Sequence, residues 1–206
     1  MGSTNGIANA DDGGVGIVTG GNVDFSAAIP MGVSLCSCPF ATWGFFAADN
    51  RAASNQVNQI GLAQYVTGVV AAQGQIPLMA GATYTGNVIA TVANGLFSGA
   101  PAIYTAVGDM SLSFGFAPGS FSMMGSITNL DSGTYSLSGT GSPASSDFNG
   151  TIGGSRPGFA SLSGSHRGAF VGAGSPPAGI IGDVAIADSL TVPSYQVGGI
   201  MFGATP

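Results

Sequence analysis

The feature that most restricts the fold is a two-residue alternation in the second half of the chain. Between residues 104 and 116 every second residue is apolar or small: Tyr104, Ala106, Gly108, Met110, Leu112, Phe114 and Phe116. The residues between them are mostly polar or small: Thr105, Val107, Asp109, Ser111, Ser113 and Gly115. Successive side chains of a β-strand point to opposite faces, so this stretch predicts a strand with one buried and one mostly solvated face.

The alternation recurs to the C-terminus in segments separated by turn residues. The predicted strands are 82–92, 102–116, 120–128, 134–139, 147–153, 160–165, 168–172, 180–187 and 196–203. Their linkers carry turn-forming residues, among them Pro118-Gly119, Asp131-Ser132-Gly133, Asn149-Gly150 and Pro157-Gly158. Short connections are typical of antiparallel hairpins. The chain is therefore predicted to be all-β, an antiparallel up-and-down barrel of about eight Gly-rich strands whose closure leaves no sheet edge.

The first 79 residues carry weaker signals. Apolar runs at 15–18 and 23–25 predict short strands in a Gly-, Asn- and Asp-rich segment. One stretch has apolar residues at helical spacing: Leu62, Tyr65, Val66, Val69 and Val70. The same stretch also contains glycines and β-branched residues, which disfavour a helix. We favour a strand at 65–70, with a short helix near 52–60 left open. The predicted organisation is an N-terminal extension at 1–35, as a loop or swapped strand, a segment at 36–79 that leads into the barrel and packs on it, and the barrel at 80–206.

The predicted core is set by the large residues at alternating positions. It consists of Trp43, Phe45, Tyr84, Tyr104, Met110, Leu112, Phe114, Phe116, Phe121, Phe148, Phe170, Ile186 and Phe202. Glycines are expected on the inner face at Gly86, Gly108, Gly125, Gly139, Gly150 and Gly182, where strands curve or approach closely.

The charge composition excludes several classes of function. Only 6% of the 206 residues are charged, with no Lys, no Glu, nine Asp and three Arg, and the net charge is −6. Nucleic-acid binding needs a basic surface that three dispersed Arg do not provide. A P-loop and Lys-based chemistry both need the missing Lys. No stretch is long and apolar enough for a transmembrane helix.

The start of the sequence, Met1-Gly2-Ser3, resembles the remnant of an expression tag, so we expect the sequence to be a piece of a longer chain.

Glycine and aromatic spacings give the chain a family resemblance over roughly residues 36–206. Residues 82–89, Asn94-Gly95 and 104–114 resemble the opening of transferrin-binding-protein-like β-barrel domains. Residues 168–172, with the spacing Gly-x-Phe-x-Gly, and 197–202 resemble the closing strands of that family. The Cys-x-Cys at 36–38 and the Thr-Trp-Gly-Phe at 42–45 resemble the start of versions found in large alpha-proteobacterial FecR-domain proteins.

The resemblance implies a bacterial surface lipoprotein or secreted protein that binds a host iron protein, haem or another partner. The barrel is shared across that family whereas the ligand is not, so the fold implies no particular ligand. Receptors for iron proteins use charged loops, and this chain has few charges. Residues 33–36 also lack the pattern of a lipid-attachment site.

Cys36 and Cys38 are the only cysteines and form a possible disulfide or redox pair. A bridge across one residue closes a tight ring, so an intermolecular disulfide, two unmodified thiols and a soft metal site stay open as alternatives. His166 is the only histidine, and we interpret it as a loop residue at a strand turn rather than as a haem or metal ligand.

No other motif predicts catalysis or a metal site. Asp11 and Asp12 fit a solvated turn better than a Ca²⁺ loop, and Asp183 and Asp188 are expected to cap the ends of one strand. Serine is abundant, but a Gly-x-Ser-x-Gly nucleophile turn is missing from the sequence. We therefore predict no catalytic residue, no metal and no cofactor.

Two functional hypotheses remain. The first is a non-enzymatic, extracellular or outer-surface module that binds a ligand or partner protein, with haem or an iron carrier implied by the resemblance. The alternative is a structural or adhesive subunit of an extracellular assembly or filament, a homo-oligomer. A surface of Ser, Thr, Ala and Gly packs against copies of itself with little loss of side-chain entropy, which favours self-association.

Overall fold

The computed structural model describes residues 7–10, 17–18, 23–24, 35–36, 38–49, 60–95, 102–189 and 194–206. Within these residues the structure is all-β, with a single 3-10 turn at Gln73–Gln75. The strands are β1 Ile7–Ala10, β2 Ile17–Val18, β3 Val23–Asp24, β4 Ala41–Asp49, β5 Ile60–Gly68, β6 Ala80–Asn94, β7 Ala102–Ala117, β8 Ser120–Leu130, β9 Gly133–Gly141, β10 Asp147–Arg156, β11 Phe159–Val171, β12 Gly179–Asp188 and β13 Tyr195–Ala204.

Strands β6 to β13 form a closed eight-stranded barrel in which each strand pairs with its neighbours in the chain. All pairings are antiparallel. The barrel closes where β13 pairs with β6, from Tyr195 opposite Asn94 to Ala204 opposite Thr85. The predicted up-and-down barrel is thereby confirmed, and so are the short strands in the N-terminal segment.

The predicted break between strands 160–165 and 168–172 and the predicted turn at Asn149-Gly150 are wrong, because the glycines concerned lie inside strands. Residues 160–165 and 168–171 belong to one strand, β11, and Asn149-Gly150 lies within β10, in the stretch 147–153 that was itself predicted as a strand. A Cβ added at Gly168 would lie 2.5 Å from Phe148 Cζ, and one added at Gly150 would lie 1.9 Å from Ser138 O. These glycines therefore allow neighbouring groups to approach closely instead of ending a strand.

Aromatic side chains fill the barrel interior towards the end where β6 begins. Phe114 lies at the centre of this cluster, with its ring 4.8 Å from Phe170 and 5.1 Å from Phe148 between centroids. The other members of the cluster are Tyr84, Phe116 and Phe121. Edge-to-face pairs of this kind each contribute about 0.5–1.5 kcal/mol beyond the area that they bury.

Residues 69–79, which we call the plug, cover the barrel end where β6 begins. Ala71 N donates to Phe170 O and Gly172 N donates to Val69 O, each at 2.9 Å. The side chains of Ala71 and Ile76 are buried with the barrel core. The plug thus ties the segment before β6 to the β11–β12 connection and seals this end of the barrel.

Strands β1, β4 and β5 form a separate antiparallel sheet that lies on the outer wall of the barrel. Trp43 on β4 stacks on Phe202 on β13, with ring centroids 5.6 Å apart, and a second apolar cluster forms around them. The strand predicted at 65–70 is confirmed in β5, which ends at Gly68. Residues 52–59 of the proposed short helix lie outside the described residues, and β5 begins at Ile60.

The predicted core residues are buried, with two qualifications. Tyr104 is partly buried, and the side chain of Phe45 lies outside the described part of the chain. Trp43 and Phe202 belong to the cluster outside the barrel wall rather than to its interior.

Candidate functional site

Two open depressions of the described surface lie where β5 stands over the barrel wall. One has a volume of about 790 Å³ and the other about 820 Å³. Both are lined by Gln64, Asp183 and Ile200, so they adjoin, and we treat them as one open groove beside β5. We call it the ledge groove, and its floor is the outer face of β9 to β13 together with Thr91 and Ala93 of β6.

A row of polar side chains crosses the floor of the ledge groove, one per strand. The register places Thr140 opposite Asn149, Asn149 opposite Arg167, and Arg167 opposite Asp183. All four line the groove. Adjacent strands lie about 4.8 Å apart, so the row is a regular line of hydrogen-bonding groups. It leads away from the edge of β5, which contacts the barrel at β12 and β13.

Arg167 and Asp183 form an ion pair in this row. Arg167 Nε donates to Asp183 Oδ1 at 2.7 Å, and the two side chains are 80% and 47% exposed. The carboxylate raises the pKa of the guanidinium. Because the pair is open to water, it contributes little to folding stability, and its groups remain accessible to a ligand.

Charged groups are concentrated in this groove although they are rare in the chain. Asp147 also lines the floor, so two carboxylates and one guanidinium lie together. Arg156 is packed at a barrel end and Arg51 lies outside the described residues. Arg167 is therefore the exposed Arg among the residues that the structure describes, and it lies in the groove.

Gln64 fixes the position of β5 above the wall. Its side-chain amide lies 3.0 Å from Thr91 Oγ1. In the orientation that satisfies all neighbours, the amide nitrogen donates to Gly198 O at 3.2 Å and the amide oxygen accepts from Thr91 N at 3.1 Å. The distance between β5 and the barrel wall is thereby set by hydrogen bonds as well as by apolar packing.

The barrel end opposite the plug is closed by polar groups around Asp131. Its Oδ2 accepts hydrogen bonds from Tyr104 OH at 2.8 Å and from Tyr195 OH at 3.0 Å. Arg156 Nε lies 3.2 Å from the same oxygen, but the angle is too poor for a hydrogen bond, and its guanidinium lies 4.8 Å from the Tyr195 ring centroid. Burial raises the pKa of Tyr195, so its phenol stays protonated and this cluster is structural.

His166 is not in a loop, and that interpretation was wrong. It lies in the middle of β11 with its side chain buried inside the barrel, because Phe159–Val171 forms one continuous strand. Nε2 lies 3.2 Å from Ser138 O, and Nδ1 has no hydrogen-bond partner among the described residues. Burial lowers the pKa of the imidazole, so it is neutral at pH 7.

Cys36 and Cys38 are joined by a disulfide in the structure. Cys38 is buried against the outer wall of the barrel, and Cys36 N donates to Asn87 Oδ1 at 2.8 Å. A redox role for the pair stays a prediction.

The remaining candidate residues contribute no further site. Asp188 lies at the end of β12 and accepts from Ser194 N at 2.9 Å, as expected for a cap. Asp183 was wrongly expected at a strand end: it lies mid-strand because β12 begins at Gly179. Asp11 and Asp12 lie outside the described residues. Among the described residues, no three His, Cys, Asp or Glu side chains lie close enough together to hold a metal ion.

The ledge groove itself was missed in the sequence. Its residues are far apart along the chain, and only the register of four strands brings Thr140, Asn149, Arg167 and Asp183 into line. The available signal was the scarcity of charge: in a chain with only three Arg, each Arg marks a position of interest.

Comparisons with known proteins agree on the fold. A structure of transferrin binding protein B from Haemophilus parasuis Hp5 matches with a TM-score of 0.55 and 17% identity, covering 82% of this chain and 33% of that one. The intact Ap-TbpB structure, with N and C lobes, matches with a TM-score of 0.53 and 14% identity, covering 100% and 39%. The isotype 1 protein from serogroup B Neisseria meningitidis matches with a TM-score of 0.52 and 13% identity, covering 81% and 32%.

These similarities show a transferrin-binding-protein-like β-barrel fold. The chain spans about a third of the length of these solved proteins. No protein-family profile and no curated protein sequence matches the chain. In the part of the chain that the structure describes, no helix is long and apolar enough to cross a membrane.

Proposed function

We propose that this chain is a non-enzymatic bacterial module, at the outer cell surface or secreted, that binds a ligand or partner protein through the ledge groove. The observation that carries the proposal is the concentration of exposed charge in a groove of about 820 Å³ on a chain with only 6% charged residues. A groove with a few convergent polar groups is the usual form of a binding site.

The packed interior supports binding on the outer wall. Six aromatic side chains occupy the barrel near the plug, and the Asp131 cluster closes the other end. A barrel of about eight strands has an interior just wide enough for its own side chains or one small ligand. Here those side chains fill it, so the wall is the surface that recognises a partner.

Haem and iron-carrying proteins are the first ligand classes to test, since the Haemophilus parasuis and Neisseria meningitidis proteins that share this fold are transferrin binding proteins by name. We expect saturable binding of transferrin to the immobilised chain, or a shifted haem absorbance band on titration. Ala185→Trp, which places a ring on the groove floor, is expected to weaken binding, whereas Ser122→Trp on the opposite wall is the matched control. Equal binding by both variants would place the ligand elsewhere, and no binding of either ligand would remove the iron-related proposal.

A structural or adhesive subunit is the second candidate, and the outer face of β7 to β11 favours it. Hydroxyl side chains cover this face at Ser111, Ser113, Ser122, Ser136, Ser138, Thr140, Thr151, Ser163 and Ser165. Neighbouring hydroxyls bond to one another, as in Ser138 with Thr151 at 3.2 Å. A face of groups that both donate and accept is complementary to itself.

Light scattering on the purified chain separates the two candidates. Regular large oligomers without a bound ligand would support the subunit, whereas a monomer that binds haem or transferrin would exclude it. Ser136→Arg in the centre of the hydroxyl face is expected to dissolve such oligomers through like-charge repulsion between copies.

A further inference from the structure

The outer edge of β5 is the starting point. In the described sheet, the strand order is β1-β4-β5, so β5 is the last strand on the side that borders the ledge groove. The edge of a sheet presents backbone N–H and C=O groups that another extended chain can pair with. Addition of a peptide strand to such an edge is a recurrent mode of protein recognition.

The ledge groove has the shape that a further strand requires. Its floor next to β5 carries short side chains, at Ser163, Ser165, Ala185, Ala187 and Gly198. A strand beside β5 would lie about 4.8 Å from it, above a wall to which sheets pack at about 10 Å. The small floor residues leave this space open for alternate side chains of the added strand.

The charges in the groove indicate what kind of strand fits. Arg167 is already paired with Asp183, whereas Asp147 has no ion-pair partner among the described residues. The groove therefore carries one excess negative charge, in a chain of net charge −6. A second copy of this chain is a poor source of the complementary charge, because it has no Lys and only three Arg.

We infer that the ledge groove binds an extended, basic segment of a partner protein, which adds to β5 as a fourth strand of the outer sheet. The main-chain hydrogen bonds to β5 supply affinity, and Asp147 selects a Lys or Arg side chain on the inward face of the added strand. This inference rests on the proposed function, because it specifies the partner of the same groove.

The test uses a labelled peptide of about ten residues, the length of a long strand, with alternating Val and Thr and one central Arg. Binding is followed by fluorescence anisotropy, and hydrogen exchange of the β5 amides is measured on the full chain. We expect saturable binding together with slower exchange in Ile60–Gly68. The same peptide with alternate backbone nitrogens methylated is the matched control, and it is expected not to bind, because it keeps the side chains but loses the donors.

Variants of the chain locate the site. Ala185→Trp fills the floor and is expected to abolish binding, whereas Ser122→Trp on the opposite wall is expected to leave it unchanged; both positions are exposed, so both variants should fold. Asp147→Asn is expected to weaken binding by up to about fivefold, the range of an exposed ion pair. A peptide with Glu in place of Arg should bind more weakly to the unmodified chain.

Three outcomes would overturn the inference: equal binding of the methylated peptide, unchanged exchange of the β5 amides, or no binding at about 1 mM peptide, the weak end of measurable affinity. The proposed function has its own readout. If Ala185→Trp abolishes binding of transferrin or haem while no peptide binds, the groove is a binding site but not a strand acceptor. If the peptide binds and neither iron ligand does, the strand acceptor stands and the iron-related proposal fails.

Discussion

A single added methyl group tests whether the barrel wall is as tightly curved as the structure shows. Gly164 on β11 faces the interior and pairs with Ile186 on β12. A Cβ built at Gly164 would lie 1.9 Å from Ala185 O and 2.9 Å from Ile186 Cα. Both are backbone atoms that no rotamer change moves, so Gly164→Ala forces β11 and β12 apart. Overpacking of this kind costs about 1–3 kcal/mol.

Gly153 provides the matched control on the neighbouring strand. It pairs with Ser163 and lies on the outer face, where an added Cβ meets nothing within 4 Å. Gly153→Ala removes backbone freedom from the unfolded chain without a clash, and it is expected to stabilise the barrel by about 0.4–1 kcal/mol. The two variants carry the same chemical change on paired strands, since Gly153 lies opposite the neighbour of Gly164. Their free energies of unfolding should differ by about 1.5–4 kcal/mol.

Urea unfolding followed by far-ultraviolet circular dichroism measures both free energies of unfolding. The comparison requires that the free energy of unfolding falls with urea concentration at the same slope in both variants. A changed slope reports a different unfolded state or a loss of two-state behaviour. If the free energy of unfolding of Gly164→Ala lies within about 0.5 kcal/mol of that of the unmodified chain, which is the range of ordinary surface changes, then β11 and β12 do not approach as closely as described. The argument from inward glycines would then be wrong.

Three further predictions concern the core, the buried histidine and the disulfide. Phe114→Ala should lower the free energy of unfolding by about 3–5 kcal/mol, because five aromatic rings surround Phe114; Met124→Ala on the exposed face is the control, and an equal loss from both would contradict the packing. Burial lowers the pKa of His166, so the unfolded chain binds the proton at a higher pH than the folded chain does. The free energy of unfolding should therefore fall as the pH drops below about 6.5. Urea titrations at several pH values should show this loss in the unmodified chain and not in His166→Phe. Reducing the Cys36–Cys38 disulfide, which spans a sequence separation of 2, should cost no more than about 1.6 kcal/mol on the loop-entropy model, and a much larger shift of the urea midpoint with reductant would show that it holds more than its own turn.

The alternation of residues predicts most of the barrel because pleat, burial and turn chemistry are local properties. Strand β7 is the clearest case: the stretch 102–116 was predicted, and the strand is Ala102–Ala117. The turns at Pro118-Gly119 and Pro157-Gly158 also follow from local chemistry, with Gly119 and Gly158 at positive φ. Strand ends were predicted within a few residues wherever such a turn was present.

The errors come from contacts between strands that are distant in sequence. Gly150 resembles a turn residue, yet it lies in β10 because Ser138 O and the His166 ring occupy the space of a side chain. His166 resembles a loop residue for the same reason, since the glycines around it obscure the alternation. Whether a glycine ends a strand or admits a neighbour depends on the opposite strand, which local sequence does not specify.

The site was less predictable than the fold. Arg167 and Asp183 are 16 residues apart, and they meet because β11 and β12 pair in one particular register. A shift by one residue would turn Asp183 into the barrel and leave the floor of the groove without its charge. The position of β5 above this floor depends on Gln64 and on the cluster around Trp43, which are contacts between separate sheets.

The closing pair of strands has a mechanical consequence. Strand β6 begins and strand β13 ends at the plugged end of the barrel, with Thr85 opposite Ala204. Tension applied to the two ends of the barrel would therefore peel β13 from β6 one hydrogen bond at a time, starting beside the plug, rather than shear all ten paired positions together. The hydrogen bonds from Ala71 N to Phe170 O and from Gly172 N to Val69 O join the plug, the segment just before β6, to β11 and the β11–β12 connection. In a domain under tension, force that enters through the residues before β6 would load these bonds before it reached the β13–β6 seam, so their loss would lower the rupture force before it changed the equilibrium fold.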